Sequence, residues 1–131
     1  MIVCKRVYEA ASPDDGQRVL VDRLWPRGIR KEALVYDDWL PDVAPSVSLR
    51  KAFGHEPERF ATFVDAYRKE LAAHPEQWWP LLGVARKGRL TLLYAAKDEH
   101  HNNAVVLAGF LEEQVERQKP GSSPPCYAGE T

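Results

Sequence analysis

Two short apolar runs constrain the fold of this chain more than any other feature. Val19 to Leu24 begins with three consecutive apolar residues, and Leu90 to Ala96 begins with Leu-Thr-Leu-Leu-Tyr. Unbroken runs of this kind are typical of strands buried on both faces, as in parallel sheets. The long segment between them contains helical patterns, which suits a parallel crossover. We therefore predict an α/β fold, a small three-layer domain with a short, mostly parallel sheet and helices on both faces.

The sequence around these runs predicts one further strand and five helices. Ile2 to Tyr8 has the apolar pattern of a strand, and the Ser-Pro-Asp-Asp-Gly string at 12–16 predicts a turn after it. Ser46 and Gly54 are typical residues for the start and the stop of a short helix. The predicted helices cover 32–40, 46–53, 56–73, 77–86 and a last one, capped by Asn102 or Asn103, that runs to Gln118.

Length and composition predict one domain with no membrane span. We place the domain of this 131-residue chain in residues 1–118, followed by a Pro/Gly/Ser-rich C-terminal tail at 119–131. No apolar run approaches the roughly 20 residues of a spanning helix, and the N-terminus lacks a signal-peptide layout. Cys4 and Cys126 form no disulfide framework, so we expect a cytoplasmic location. The sequence carries no signal for an oligomeric state or for a particular cofactor.

Charged and aromatic residues follow both apolar runs. Arg23, Trp25, Arg27 and Lys31 lie at and beyond the carboxyl end of the first run. The second run contains Tyr94 near its carboxyl end and is followed by a set that contains Asp98, His101 and Asn102. Ligands of open α/β sheets bind beyond the carboxyl ends of the strands, so two parallel neighbouring strands would bring these sets into one crevice.

Anion binding is the chemistry that these residues favour. Arginine forks match phosphate and carboxylate geometry, and the helix that starts near Asn103 would direct free N–H groups at the same crevice. Arg23, Arg27 and Lys31 are the predicted anion ligands. In the alternative interpretation, Arg23 and Arg27 pair with internal acids such as Asp22, Asp38 or Asp98. The net charge of −1 argues against a generally basic nucleic-acid-binding surface, so a basic site must be local.

Further residues have two interpretations each. Trp25 and Tyr94 would flank a planar part of the ligand, or else Trp25 packs beneath its own loop. Asp98 and His101 would transfer protons, since imidazole titrates near neutral pH, or else His101 lies in solvent at a helix start. His55 would line the crevice or cap a helix. Adjacent histidines without a carboxylate or cysteine at ligand spacing predict no metal site.

Three strings in this chain resemble a known family. They are VLVDRLWPRGIRK at 19–31, FGHEPERF at 53–60 and LLYAAKDEHHNNAVVL at 92–107. Together with the 12–16 turn, they are similar to the YeaO-like proteins of domain-of-unknown-function family 488, which are widespread in bacteria, over roughly residues 1–115. The resemblance implies a compact α/β domain but no established activity. One departure is Asn103, where many members carry histidine.

The resemblance also implies which residues match the motif positions of the family. They are Asp22, Arg23, Trp25, Pro26, Arg27, Gly28, Lys31, Trp39, Gly54, His55, Tyr94, Asp98, His101 and Asn102.

Two functions follow from these observations. The first is a protein that binds an anionic, phosphate-bearing small molecule or nucleotide in the crevice, with hydrolase- or transferase-type chemistry at Asp98 and His101. The second is a non-catalytic nucleic-acid-binding or protein-interaction module that uses the same basic loop. A concave crevice with Asp98 and His101 in hydrogen-bond contact favours the first, whereas a flat basic face favours the second. No Gly-rich phosphate loop, G-x-S-x-G elbow or zinc motif occurs.

Overall fold

The two apolar runs form neighbouring parallel strands at the centre of a sheet. The computed structural model describes residues 1–118, and its strands are β1 (Ile2–Arg6), β2 (Gln17–Leu20), β3 (Asp38–Trp39) and β4 (Leu90–Tyr94). The order is β1-β4-β2-β3 and all three pairings are parallel, with Val19 opposite Leu92. Leu90, Leu92 and Leu93 are fully buried. The predicted α/β fold with a parallel sheet is confirmed.

Four helices supply most of the core. They are α1 (Val47–Phe53), α2 (Phe60–Ala73), α3 (Pro75–Lys87) and α4 (Asn103–Arg117). The predicted caps of α1 are confirmed, because the Ser46 side chain accepts from the Leu49 N–H and Gly54 adopts the left-handed conformation at φ 58°. Buried residues of all four helices pack in one cluster with Val19 and Leu92.

An irregular aromatic segment covers the other face of the sheet. Leu20 and Leu93, which point away from the first cluster, pack with Leu34 and the rings of Trp25, Tyr36 and Trp39. This second cluster contains no residue of α1 to α4, so the expectation of helices on both faces was wrong in that detail.

The predicted helix over 32–40 is also wrong. The segment makes turns and then the short edge strand β3, because its backbone pairs with β2: Asp37 N–H donates to Arg18 C=O at 2.7 Å and Leu40 N–H to Leu20 C=O at 2.9 Å. This edge pairing orients the aromatic side chains onto the sheet.

Two further predictions concern the C-terminal tail and membrane-spanning helices. The tail at 119–131 lies outside the described residues. Within residues 1–118, no helix has the length and apolar character that crossing a bilayer requires.

Candidate functional site

A cavity of about 430 Å³ opens where the predicted crevice was placed. It lies beyond the carboxyl ends of β2 and β4, between the loop at 22–27, α1 and the start of α4. Its size falls in the range of small-molecule sites. Of the residues predicted from the sequence, the structure brings Arg23, Trp25, Arg27, His55 and Asn102 together in its wall. Tyr94, Asp98, His101 and Lys31 do not line this cavity.

Three guanidinium groups line the cavity, and they differ in what they already bind. Arg23 is half-buried and donates to the backbone carbonyls of Ala44 at 3.1 Å and Pro45 at 3.2 Å. Arg27 and Arg50 are exposed, and their side chains make no hydrogen bond or ion pair with any residue in 1–118. The alternative in which Arg23 and Arg27 pair with internal acids is therefore not what the described residues show.

One carboxylate lies among these cations. Asp22 is half-buried and ends the pairing of β2 with β4: its Oδ2 accepts from the Ala95 N–H at 2.9 Å, in place of a backbone carbonyl. Its Oδ1 accepts from Asn103 Nδ2 at 3.1 Å. Burial raises the pKa of Asp22, opposed by these two hydrogen bonds and by the positive charges of Arg50 and His55.

The start of α4 forms another wall. Asn102 is 2% exposed, and its side chain accepts from Val105 N–H at 3.0 Å and donates to Asp98 C=O at 2.9 Å. It therefore caps the helix. The first N–H groups of a helix have no intrahelical acceptor, so the start of α4 adds positive potential where Asn102 and Asn103 line the cavity.

His55 reaches the cavity wall from a strained backbone. It has φ 58°, the one positive value among the non-glycine residues of 1–118, and it directly follows the left-handed Gly54. Its ring lies 6.0 Å from that of Phe53, which also lines the cavity. A bulky residue in this region is uncommon and marks a position worth testing for function.

The predicted aromatic clamp is not assembled. Trp25 donates its Nε1–H to Ile29 C=O at 2.6 Å, and its ring packs edge-on against Tyr36 and Trp39. Lys31 lies over the same aromatic group, with Nζ 5.7 Å from the centroid of the Trp25 ring. Tyr94 is 3% exposed, and burial raises its pKa. Trp25 therefore lines the cavity while its ring supports the loop, whereas Lys31 and Tyr94 do not line the cavity.

Asp98 and His101 are in contact but organise a turn outside the cavity. Their Oδ2 and Nδ1 atoms lie 2.9 Å apart, and Asp98 Oδ1 accepts the backbone N–H groups of His100 and His101. These hydrogen bonds, with that from His100 largest, lower the pKa of Asp98. The ring of His101 packs edge-on against Phe60 at 4.9 Å. The catalytic role of the pair stays a prediction. Among residues 1–118, no three His, Cys, Asp or Glu side chains group as a metal site would require.

Sequence reasoning assigned no site role to four polar residues of the cavity wall, although the resemblance singles out Asp22 as a motif position. Asp22 and Asn103 lay inside the recognised strings, and their contact across β2 and α4 was not visible in either string. Tyr8 and Arg50 carried no sequence signal for a binding site. Tyr8 ends a strand pattern, and Arg50 lies on the solvent-exposed side of a short helix.

Comparison with known proteins places the chain among uncharacterised relatives. Residues 1–128 match a family model described as the inactive DUF488-N3 subclade. Uncharacterized protein YeaO of Escherichia coli (strain K12) is 51% identical over 110 residues, which cover 84% of this chain and 96% of that protein. Uncharacterized protein Rv3073c of Mycobacterium tuberculosis (strain ATCC 25618 / H37Rv) is 45% identical over 109 residues, covering 81% and 89%. No solved structure matches the chain at a significant level.

Proposed function

The chain belongs to the inactive DUF488-N3 subclade, and we propose that it binds a phosphate-bearing small molecule in the cavity beyond β2 and β4. The observation that carries this proposal is the state of Arg27 and Arg50. Both guanidinium groups line a concavity, and neither has a hydrogen-bond or ion-pair partner in residues 1–118. Paired donors of this kind bind phosphate oxygens in a fork-like geometry.

Two further features favour an anion. Asn102 and Asn103, at the start of α4, line the same space, and the positive end of a helix dipole favours an anion there. The cavity wall also holds His55, which adds positive charge when it is protonated. Four groups that can carry positive charge therefore surround the single carboxylate of Asp22 in this wall.

Binding without turnover is the better-supported form of the proposal. The subclade is described as inactive. The pair that we predicted to transfer protons, Asp98 and His101, lies outside the cavity lining. A small molecule is favoured over a nucleic-acid surface because the arginines line a concavity rather than a flat face.

Calorimetric titration with inorganic phosphate, ribose 5-phosphate and GMP tests the proposal. Arg27→Ala and Arg50→Ala should each weaken binding by about 10- to 100-fold, the loss expected for a hydrogen bond to a charged group. Arg30→Ala is the matched control, since Arg30 is an exposed cation of the same loop that does not line the cavity. Absence of binding for all three compounds, or equal losses in Arg30→Ala and Arg27→Ala, would overturn the proposal.

A further inference from the structure

A carboxylate in a cavity built for an anion needs an explanation. Asp22 lines the same wall as Arg23, Arg27 and Arg50, and its charge would repel a bare phosphate. A ligand that consists only of an anionic group would be better served by an apolar or amide side chain at this position. The carboxylate becomes favourable when the ligand brings hydrogen-bond donors of its own.

Asp22 has the capacity to bind such donors. Each of its oxygens accepts one protein hydrogen bond, from Asn103 Nδ2 on one side and from Ala95 N–H on the other. An ionised carboxylate has about four lone-pair sites, so both oxygens retain room for a further donor. Those two hydrogen bonds also fix the orientation of the group, so that a ligand meets it already positioned.

A planar surface lies in the wall as well. Tyr8 is 48% exposed, and its hydroxyl donates to Arg27 C=O at 2.9 Å. The Arg6 guanidinium lies 4.9 Å from the centroid of the same ring. These contacts hold an aromatic ring at the cavity wall, beside the loop that carries Arg27. Stacking of a nucleobase on an exposed, fixed aromatic ring contributes substantially to binding.

We infer that the ligand is a nucleotide, an inference that rests on the proposed function. Its phosphate binds Arg27 and Arg50, its base stacks on Tyr8, and N–H donors of the base bind Asp22. Among the common bases, guanine presents two adjacent N–H donors, which match the two oxygens of a carboxylate. The cavity thus takes a guanine nucleotide in preference to a phosphate without a base.

The ratio of two dissociation constants tests this inference in the wild-type chain. GMP should bind about 10-fold or more tighter than ribose 5-phosphate, which carries the same phosphate and sugar but no base. Equal affinity of the two compounds overturns the inference and leaves the proposed function standing. Failure of both compounds and of inorganic phosphate to bind overturns both.

Variants assign the preference to the named side chains. Tyr8→Leu and Tyr8→Phe both lose the hydrogen bond to Arg27 C=O, so ribose 5-phosphate should bind the two variants equally. GMP should bind Tyr8→Leu about 10-fold more weakly than Tyr8→Phe, which keeps the ring. Asp22→Asn should reduce the preference for GMP over ribose 5-phosphate. If the role of Asp22 were purely structural, Asp22→Asn would lower the melting temperature and leave the preference for GMP over ribose 5-phosphate unchanged. Where Asp22→Asn fails to fold, the Tyr8 pair still decides: equal GMP affinity of Tyr8→Leu and Tyr8→Phe overturns the assignment of the base to Tyr8.

Discussion

Arg23→Met separates a structural arginine from a ligand-binding one. The methionine side chain keeps much of the apolar stem of Arg23 and removes the guanidinium. In the structure this guanidinium donates to the carbonyls of Ala44 and Pro45, at 3.1 and 3.2 Å, and so ties the loop after β2 to the segment before α1. The substitution should therefore act on folding before it acts on binding.

The expected loss follows from the partners that remain. A hydrogen bond from a charged donor contributes about 1.5–3 kcal/mol, and an acceptor left without a partner costs about 1–3 kcal/mol when it is buried. Ala44 and Pro45 are buried residues, but both line the cavity, from which water can reach their carbonyl oxygens. Because water can replace the lost donor, the lower end of the acceptor cost, about 1 kcal/mol, applies to each carbonyl, which gives a loss of about 2 kcal/mol in the free energy of unfolding. For a domain of this size, that lowers the melting temperature by roughly 6–10 °C.

Urea unfolding followed by circular dichroism measures this loss, with Arg27→Met as the control. The Arg27 side chain has no hydrogen-bond or ion-pair partner within residues 1–118, so its replacement should change the free energy of unfolding by less than about 0.5 kcal/mol. Equal midpoints for Arg23→Met and wild type would refute the reasoning. Arg23 would then be free to bind ligand, as the sequence suggested.

Two further predictions concern His55 and Asp15. His55→Gly removes the cost of a positive φ, and this gain offsets the extra chain entropy of glycine. The free energy of unfolding, measured by thermal denaturation, should therefore change by less than about 0.5 kcal/mol, while phosphate affinity falls. A loss above about 2 kcal/mol in the free energy of unfolding would show that the imidazole stabilises the fold. Hydrogen bonds from the Ser12 N–H and then from Lys5 and Arg18 lower the pKa of Asp15 from its ordinary 3.8. The Asp15 carboxylate therefore contributes its full stabilisation above that ordinary pKa, and this contribution is lost as the pH falls through the lower pKa of the folded state. Asp15→Asn should flatten the acid limb of a curve of unfolding free energy against pH. Identical acid limbs for the variant and the wild type would contradict this prediction.

The parallel pairing of β2 and β4 could be predicted because burial leaves a direct signature in sequence. Leu90 to Tyr94 contains only residues that suit a strand covered on both sides, and Val19 to Val21 repeats that pattern. The placement of the crevice followed from this pairing alone. The helix expected over 32–40 failed because Tyr36 and Trp39 have a spacing that fits either a helix or an irregular segment on a sheet face. Only the backbone bonds to Arg18 and Leu20 decide between them.

The membership of the site was harder to predict, since it depends on contacts between distant segments. Arg50 is one of several cations on α1 and α2 with ordinary helical spacing, and only the position of α1 beside the loop at 22–27 brings it to the cavity. Asp98 and His101 have the residue types of a proton-transfer pair, yet Asp98 accepts backbone N–H groups in the turn before α4. Residue type alone does not distinguish these uses.

The same limit explains the cluster of cations after β2. The 22–36 segment covers the second face of the sheet, and two of its four cations make structural contacts: Arg23 donates to backbone carbonyls, and Lys31 lies over the Trp25 and Trp39 rings. Arg27 differs because its neighbour Pro26 is buried while its own side chain is exposed at the cavity. Arg27 and Arg50 come from different elements, line the same cavity wall and make no hydrogen bond or ion pair within residues 1–118. Two such cations in one wall are a stronger indication of binding than the number of cations in the loop. On this reasoning, substitution of Arg27 or Arg50 weakens ligand binding, whereas substitution of Arg23 or Lys31 lowers the free energy of unfolding.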